Sequence, residues 1–280
     1  MDKVLFLFCL AATALAVPNP YPHITAGGCG LSNGRAPNPF IVGGAQVNPR
    51  YKWPWIGSLR RTGSHICGGS LVKSKDGVYY FITAAHCVDG SSVSVLSVKF
   101  GAHFRLDSTS DNYKVILNVK EIIMHNQYNR NTFQNDIAVL TLQNQETIVE
   151  SDYIRPICFA DQDHTPDEQC TVIGWGTLSE GGSVSGTLQE VTKPILADSK
   201  CSSDLGSNSY YADSMLCSGL DNGGVDACQG DSGGPFFCER NGVWELVGVV
   251  SWGYGCARPG KPGVYADCWN LRDWVNNQIN

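Results

Sequence analysis

The chain has 280 residues, enough for one large domain or two mid-sized ones, each with a buried core. Hydrophobic residues make up 42% and charged residues only 16%, a composition that excludes a disordered chain. The net charge is −6 and lysine and arginine form no run, which argues against binding to nucleic acid or anionic lipid. The twelve cysteines are typical of an oxidising compartment, and the 31 glycines indicate many tight turns, as in all-β folds.

An apolar run over residues 4–16 follows a positive charge, Lys3, at the N-terminus. The run spans 13 residues, whereas a membrane-spanning helix needs about 20. It ends in Ala14-Leu15-Ala16, the small-residue pattern of a signal-peptidase site. We therefore expect a signal peptide over residues 1–16 and secretion of the rest of the chain. Its removal takes Cys9 with it and leaves eleven cysteines, an odd number.

Residues 17–40 contain five of the thirteen prolines, which predicts an exposed pro-segment of the kind that proteases cut. From residue 41 onward, short β-type runs alternate with turn signals, a pattern that predicts a β-sandwich or β-barrels. One helical pattern is expected at the C-terminus, where Leu271, Trp274, Val275 and Ile279 share a face. The β-type runs cover residues 66–72, 78–83, 93–100, 113–123, 137–142, 170–175, 244–251 and 263–266.

Three segments contain residues with catalytic potential. The segment TAAHC places His86 after an apolar strand, NDIAVL places Asp136 before a buried strand, and GDSGGP places Ser232 in a glycine-rich turn. A serine hydroxyl becomes a nucleophile when a base removes its proton, and an imidazole titrates near neutral pH. Each residue alone has an ordinary structural explanation, but their joint occurrence in this order favours catalysis. The other histidines are interpreted as surface or packing residues: His23, His65, His103, His125 and His164.

In these segments the chain resembles the chymotrypsin-like (trypsin family) serine proteases, and the resemblance covers residues 41–280. It implies an all-β catalytic domain of two antiparallel β-barrels, roughly residues 41–150 and 151–270, with a C-terminal α-helix over 271–279. It also implies the catalytic triad of the family, with His86 as general base, Asp136 as its orienting carboxylate and Ser232 as nucleophile. The backbone N–H groups of Gly230 and Ser232 would form the oxyanion hole. No cofactor is implied.

The resemblance also implies a substrate pocket. Asp226 would lie at its base, with Gly253 and Gly263 as walls that leave room for a long side chain. A carboxylate in a narrow slot favours a guanidinium or ammonium, which predicts cleavage after Arg or Lys. A solvated surface Asp226, with chymotrypsin-like specificity, is the alternative. Ser251 and Trp252 would belong to the strand that pairs with the substrate backbone, and Phe133 would narrow the neighbouring subsite.

In this family, a cut before Ile-Val-Gly-Gly frees an α-ammonium that pairs with the carboxylate beside the nucleophile. Here these groups would be Ile41 and Asp231, and the uncut precursor would be inactive. The residue before the cut is Phe40, where relatives that are activated by tryptic enzymes carry Arg or Lys. A chymotrypsin-like or other convertase is therefore the natural hypothesis. A tryptic cut at Arg35 would leave five residues ahead of Ile41 and would need trimming.

By the same resemblance we expect five disulfides, of which Cys29–Cys158 would tether the cleaved pro-segment. The others are Cys67–Cys87, Cys170–Cys238, Cys201–Cys217 and Cys228–Cys256. Cys268 is left over, either as a buried thiol or as half of an intermolecular bridge. Some relatives bind Ca²⁺ in the loop after Phe100-Gly101, but here that loop has Ala102 and no Glu through residue 112. We therefore expect no metal.

The most consistent interpretation is a secreted monomeric zymogen of a serine endopeptidase. Its partners would be protein or peptide substrates, an activating protease and protein inhibitors. The short pro-segment favours digestive or general extracellular proteolysis. The rival hypothesis is a protease-like binding protein that has lost catalysis, and the presence of all three triad residues argues against it.

Overall fold

The computed structural model describes residues 28–33, 44–107, 111–224 and 226–279. The predicted signal peptide and most of the predicted pro-segment, with Phe40 and Ile41, lie outside the described residues. The strands are β1 (Ala45–Gln46), β2 (Ile56–Arg61), β3 (Ser64–Lys73), β4 (Tyr79–Thr83), β5 (Leu96–Phe100), β6 (Val115–Met124), β7 (Ala138–Leu142), β8 (Cys158–Phe159), β9 (Gln169–Gly174), β10 (Gln189–Pro194), β11 (Met215–Ser218), β12 (Pro235–Arg240), β13 (Val243–Trp252) and β14 (Gly263–Asp267). The helices are α1 (Ala85–Val88), α2 (Asp198–Leu205) and α3 (Arg272–Gln278).

Six antiparallel strands close the first barrel in the order β2-β3-β4-β7-β6-β5. Side chains along β6 alternate between the barrel interior and the solvent, as expected for a barrel strand. Leu117 and Val119 are buried, while the residues that follow each of them, Asn118 and Lys120, are exposed. The barrel interior is filled by aromatic and aliphatic side chains such as Phe81, whose ring packs edge-on at 5.7 Å from Phe100.

The second barrel is an eight-stranded sheet in the order β1-β10-β9-β12-β13-β14-β11, with β8 beside β13. Ile195, which follows β10, forms an isolated antiparallel bridge with Ser218 of β11, and this bridge brings the two sides of the sheet together. Helix α3 follows β14 at the C-terminus. The prediction of an all-β fold with two barrels and a terminal helix is confirmed. Within the described ranges, no helix has the length and apolarity required to cross a membrane.

The two barrels meet through an aromatic cluster and a close backbone contact. Trp53 lies 4.8 Å from the rings of both Phe237 and Trp244, so the N-terminal barrel packs directly on β12 and β13. Near the other end of the interface, the Gly68 N–H donates to the backbone oxygen of Ser232 at 2.8 Å. This hydrogen bond joins β3 to the glycine-rich turn that holds Ser232.

Five disulfides staple the chain, and all have Cα–Cα separations between 4.4 and 6.2 Å. Cys268 is the free cysteine of the described residues and is fully buried, and burial raises the pKa of its thiol. The bonded pairs are Cys29–Cys158, Cys67–Cys87, Cys170–Cys238, Cys201–Cys217 and Cys228–Cys256.

Several elements differ from the sequence-based prediction. The β-type runs named from the sequence include no counterpart of β1, β2, β8, β10, β11 or β12, and the predicted strand over 93–100 begins with a 3-10 turn at Val93–Val95. The Ser92 hydroxyl accepts from the Ser94 N–H at 3.3 Å and stabilises that turn. The expectation of a single helix was wrong, since the structure also has α1 and α2. Helix α2 was missed because it buries only Cys201 and Leu205 and so lacks an extended apolar pattern.

We expect Gly68→Ala to lower the free energy of unfolding by about 1 to 3 kcal/mol, because a Cβ there would lie 2.8 Å from the Gly234 Cα of the other barrel. It should also lower kcat/KM by displacing the turn that holds Ser232. The matched control is Gly186→Ala, where a Cβ would meet no atom within 4 Å. Urea unfolding and peptide hydrolysis measure both effects, and equal behaviour of the two variants would contradict the contact.

Candidate active site

His86 lies in the single turn of α1, directly after β4. Its neighbour Cys87 is bonded to Cys67 of β3, which fixes this turn to the barrel wall. Thr83, at the end of β4, donates its hydroxyl to the Gly68 backbone oxygen at 2.9 Å. The His86 side chain is 22% exposed, so one side of the ring is accessible from the cleft.

Asp136 has a fully buried carboxylate that accepts three hydrogen bonds. Oδ1 accepts from the His86 backbone N–H at 2.9 Å, and Oδ2 accepts from His86 Nδ1 at 2.7 Å. The Ser251 hydroxyl of β13 also donates to Oδ2, at 2.5 Å. A carboxylate that accepts from Nδ1 selects the tautomer in which Nε2 carries the lone pair. His86 is thereby oriented as a base.

Ser232 occupies a turn whose conformation depends on glycine. Gly233 has a φ of +75°, and a Cβ there would lie 2.2 Å from the Thr83 hydroxyl oxygen. The turn therefore packs directly against the strand that leads to His86. In the described part of the chain, Ser232 Oγ and His86 Nε2 are not hydrogen-bonded, and Nε2 lies 3.7 Å from Cys87 Sγ. Such contacts between nucleophile and base often form only when substrate binds.

His65 was interpreted as a surface or packing residue, and its ring packs edge-on at 5.6 Å from the ring of Trp175. The sequence did not indicate its polar contacts. Burial lowers the pKa of its imidazole to about 4, so the ring is neutral at pH 7. Its Nε2 lies 3.1 Å from the Gly230 backbone oxygen and its Nδ1 lies 2.8 Å from the Ser58 hydroxyl. Nε2–H therefore donates to Gly230 while Nδ1 accepts from Ser58. His65 orients Gly230, whose φ of +97° only glycine adopts readily.

A cavity of about 210 Å³ opens beside Ser232. Asp226 lines it, and its carboxylate is 5% exposed. Gly263 brings its backbone so close that a Cβ would lie 2.6 Å from Asp226 Oδ1. The structure thus gathers the predicted pocket residues around one cavity that Ser232 also lines: Asp226, Gly253, Gly263, Ser251 and Trp252. Phe133 lies outside that lining, with its ring 5.7 Å from the His86 ring.

Comparison with known proteins agrees with this geometry. The sequence model of the family described as Trypsin matches residues 41–275. Trypsin-1 from Astacus astacus is 40% identical over 215 residues, which make up 75% of this chain and 86% of that protein. The chain belongs to the trypsin family. It is a serine endopeptidase, and its substrates are proteins or peptides.

The protease has a second cavity, of about 220 Å³, which shares Asp226 and Cys228 with the first. Asp231 lines it, with Oδ1 accepting from the Gly176 N–H at 2.8 Å and Oδ2 from the Cys228 N–H at 2.9 Å. Burial raises the pKa of the Asp231 carboxyl to about 6. Gly44, with which the described range 44–107 begins, also lines this cavity. A cation that entered here would find an anionic partner.

The loop after Phe100-Gly101 contains a lysine ammonium at its centre. Lys99 is fully buried, and its Nζ donates to the backbone oxygens of Phe104 and Arg105, both at 3.0 Å. It also donates to Asp107 Oδ1 at 3.1 Å. These oxygens are the kind of ligand that a calcium ion prefers, and here they surround a cation that belongs to the chain. Asp111 instead accepts from the backbone N–H groups of His103 and Phe104.

We expect His65→Phe to lower kcat by about tenfold or more with little change in KM, because Gly230 loses the donor that orients it beside the oxyanion position. His65→Gln, whose amide can still donate, should recover part of the activity. Single-turnover kinetics with a peptide amide measure the acylation step directly. Wild-type kcat in the Phe variant would show that Gly230 is held by other contacts.

Asp231 gives the uncleaved protein a pH-dependent stability. Because its folded pKa is about 6 and the ordinary value is 3.8, the folded state binds a proton more tightly than the unfolded state. This contribution is present below pH 4 and is lost as the pH rises through 6, which lowers the free energy of unfolding by about 3 kcal/mol. Asp231→Asn should remove that part of the slope in urea unfolding, and Asp221→Asn, at an exposed site, should not.

Proposed function

We propose that the protease is made as a secreted zymogen and, once cut before Ile41, cleaves polypeptides after Arg or Lys. The observation that carries the specificity is the position of Asp226. Its carboxylate lines the 210 Å³ cavity together with Ser232, and the backbone of Gly263 approaches its Oδ1 closely. A carboxylate at the end of such a slot stabilises a guanidinium or ammonium that arrives on a long side chain.

In the proposed reaction, His86 Nε2 takes the proton of the Ser232 hydroxyl as Oγ attacks the scissile carbonyl carbon. Asp136 stabilises the imidazolium that results, through the 2.7 Å contact with Nδ1. The oxyanion accepts from the N–H groups of Gly230 and Ser232. The imidazolium then gives its proton to the leaving amine as the C–N bond breaks, which leaves the acyl group on Ser232 Oγ. In the second half of the reaction, His86 Nε2 takes a proton from water as the water oxygen attacks the acyl carbon. It returns that proton to Ser232 Oγ as the ester bond breaks and the carboxylic acid product leaves.

We propose that activation depends on the negative charge of Asp231. A cut between Phe40 and Ile41 would free an α-ammonium three residues before Gly44, which lines the same cavity as Asp231. The raised pKa of Asp231 supports this, because the hydrogen-bond donors to its buried carboxyl among the described residues are backbone N–H groups, and such a carboxyl gains from receiving a cation. Since Phe40 precedes the cut, the activating enzyme would be a chymotrypsin-like convertase.

An extracellular setting is proposed from the disulfides and from the N-terminal sequence pattern. Five disulfides fit an extracellular protein, and the N-terminal pattern supports a signal peptide over residues 1–16 with a pro-segment over 17–40. The catalytic domain would be residues 41–280, active as a monomer. Digestive or general extracellular proteolysis, restrained by protein inhibitors, is the proposed role.

The test uses a precursor in which a specifically cleavable tag replaces residues up to 40 and its removal frees Ile41. We expect hydrolysis of Arg and Lys peptide amides to exceed that of Phe and Ala amides, and to fall about 100-fold or more when the tag is left in place. Ser232→Ala is the blank. Cleavage after Phe would keep the mechanism and refute the role of Asp226, and full activity with the tag intact would refute activation through Ile41.

A further inference from the structure

A buried lysine reaches the base of the substrate pocket from behind. Lys193 lies on β10 and its side chain is fully buried. Its ammonium donates to the Ser218 backbone oxygen at 3.1 Å and forms an ion pair with Asp226 Oδ1. The same Nζ lies 5.2 Å from the centre of the Tyr265 ring, which also lines the pocket.

This pair changes the charge that a substrate meets. Asp226 Oδ1 accepts from Lys193 and also from the Ala227 N–H at 2.8 Å, so the chain already saturates one of its two oxygens. The pocket base therefore holds an ammonium beside the carboxylate, and the two charges partly offset each other. A planar guanidinium binds a carboxylate most tightly through two parallel hydrogen bonds, which require both oxygens. Here Oδ2 is the oxygen left for a substrate.

We propose that Lys193 is a specificity-determining residue, an internal counter-ion that weakens the preference of the pocket for Arg and Lys over uncharged side chains. The inference rests on the proposed function of Asp226 as the base of the pocket. A cationic side chain entering the pocket is attracted by Asp226 but repelled by Lys193 next to it, and the two effects partly cancel. An apolar side chain carries no charge, so Lys193 weakens its binding less than it weakens the binding of a cation.

A purely structural role for Lys193 predicts something different. The ammonium bonds β10 to the Ser218 backbone oxygen at the end of β11, so its loss could destabilise the second barrel. Such a loss would lower the activity on all substrates by the same factor. A role as counter-ion instead changes the ratio between charged and uncharged substrates, and this ratio is independent of the amount of folded enzyme.

The experiment compares Lys193→Met, which keeps the length of the side chain, with the parent enzyme after release of Ile41. We expect the ratio of kcat/KM for Arg over Phe peptide amides to rise about tenfold or more, mainly through a lower KM for Arg. Benzamidine, a cationic probe of the pocket, should bind about tenfold more tightly as well. The charge-matched control is Lys120→Met, at an exposed position of the first barrel.

Lys193→Gln provides a second variant, because its amide can still donate to Ser218 while the positive charge is gone. Both variants should shift the ratio and the benzamidine affinity in the same direction. Values within twofold of the parent would overturn the proposal while leaving the Arg and Lys preference intact. A parent that prefers Phe, with an Arg preference that appears on Lys193→Met, would refute the proposed specificity and support the role of Lys193.

Discussion

The arrangement of the active site depends on the hydrogen bonds that the carboxylate of Asp136 accepts. This carboxylate is fully buried, and its donors come from both barrels: His86 from the first and Ser251 from the second. A buried charge is strongly unfavourable unless it is hydrogen-bonded, so a displacement of either barrel would expose or orphan this group. The orientation of His86 and the packing of the two barrels are therefore enforced by the same interaction.

Buried ion pairs recur throughout the protease and bring distant parts of the chain together. Lys52 donates to Glu190 at 3.0 Å across the interface between the barrels. Lys99 organises its loop, and Lys193 meets Asp226 behind the pocket. Each lysine exchanges hydration for fixed partners, which restricts the backbone around it to a narrow set of conformations. The least exposed of the described lysines thus hold loops and strands together through hydrogen bonds and ion pairs.

The fold class could be predicted from sequence because it rests on local patterns: turn signals, alternating strands and the flanking residues of the triad segments. Strands β10 and β12 were missed because they pack on both sides and lack a simple alternation. His65 and Lys193 were missed for another reason. Their partners lie 165 and 33 residues away, and nothing in the flanking sequence indicates a polar group that bonds across the fold.

Lys99 gives the loop over residues 101–107 a property that a metal-bound loop lacks. A dissociable ion occupies its site according to its concentration, so dilution or a chelator can empty it. An ammonium held by the covalent chain has a fixed effective concentration near its ligands, set by the short strand that carries it. The order of residues 101–107 is therefore coupled directly to the folding of the first barrel, whose strand β5 carries the ammonium.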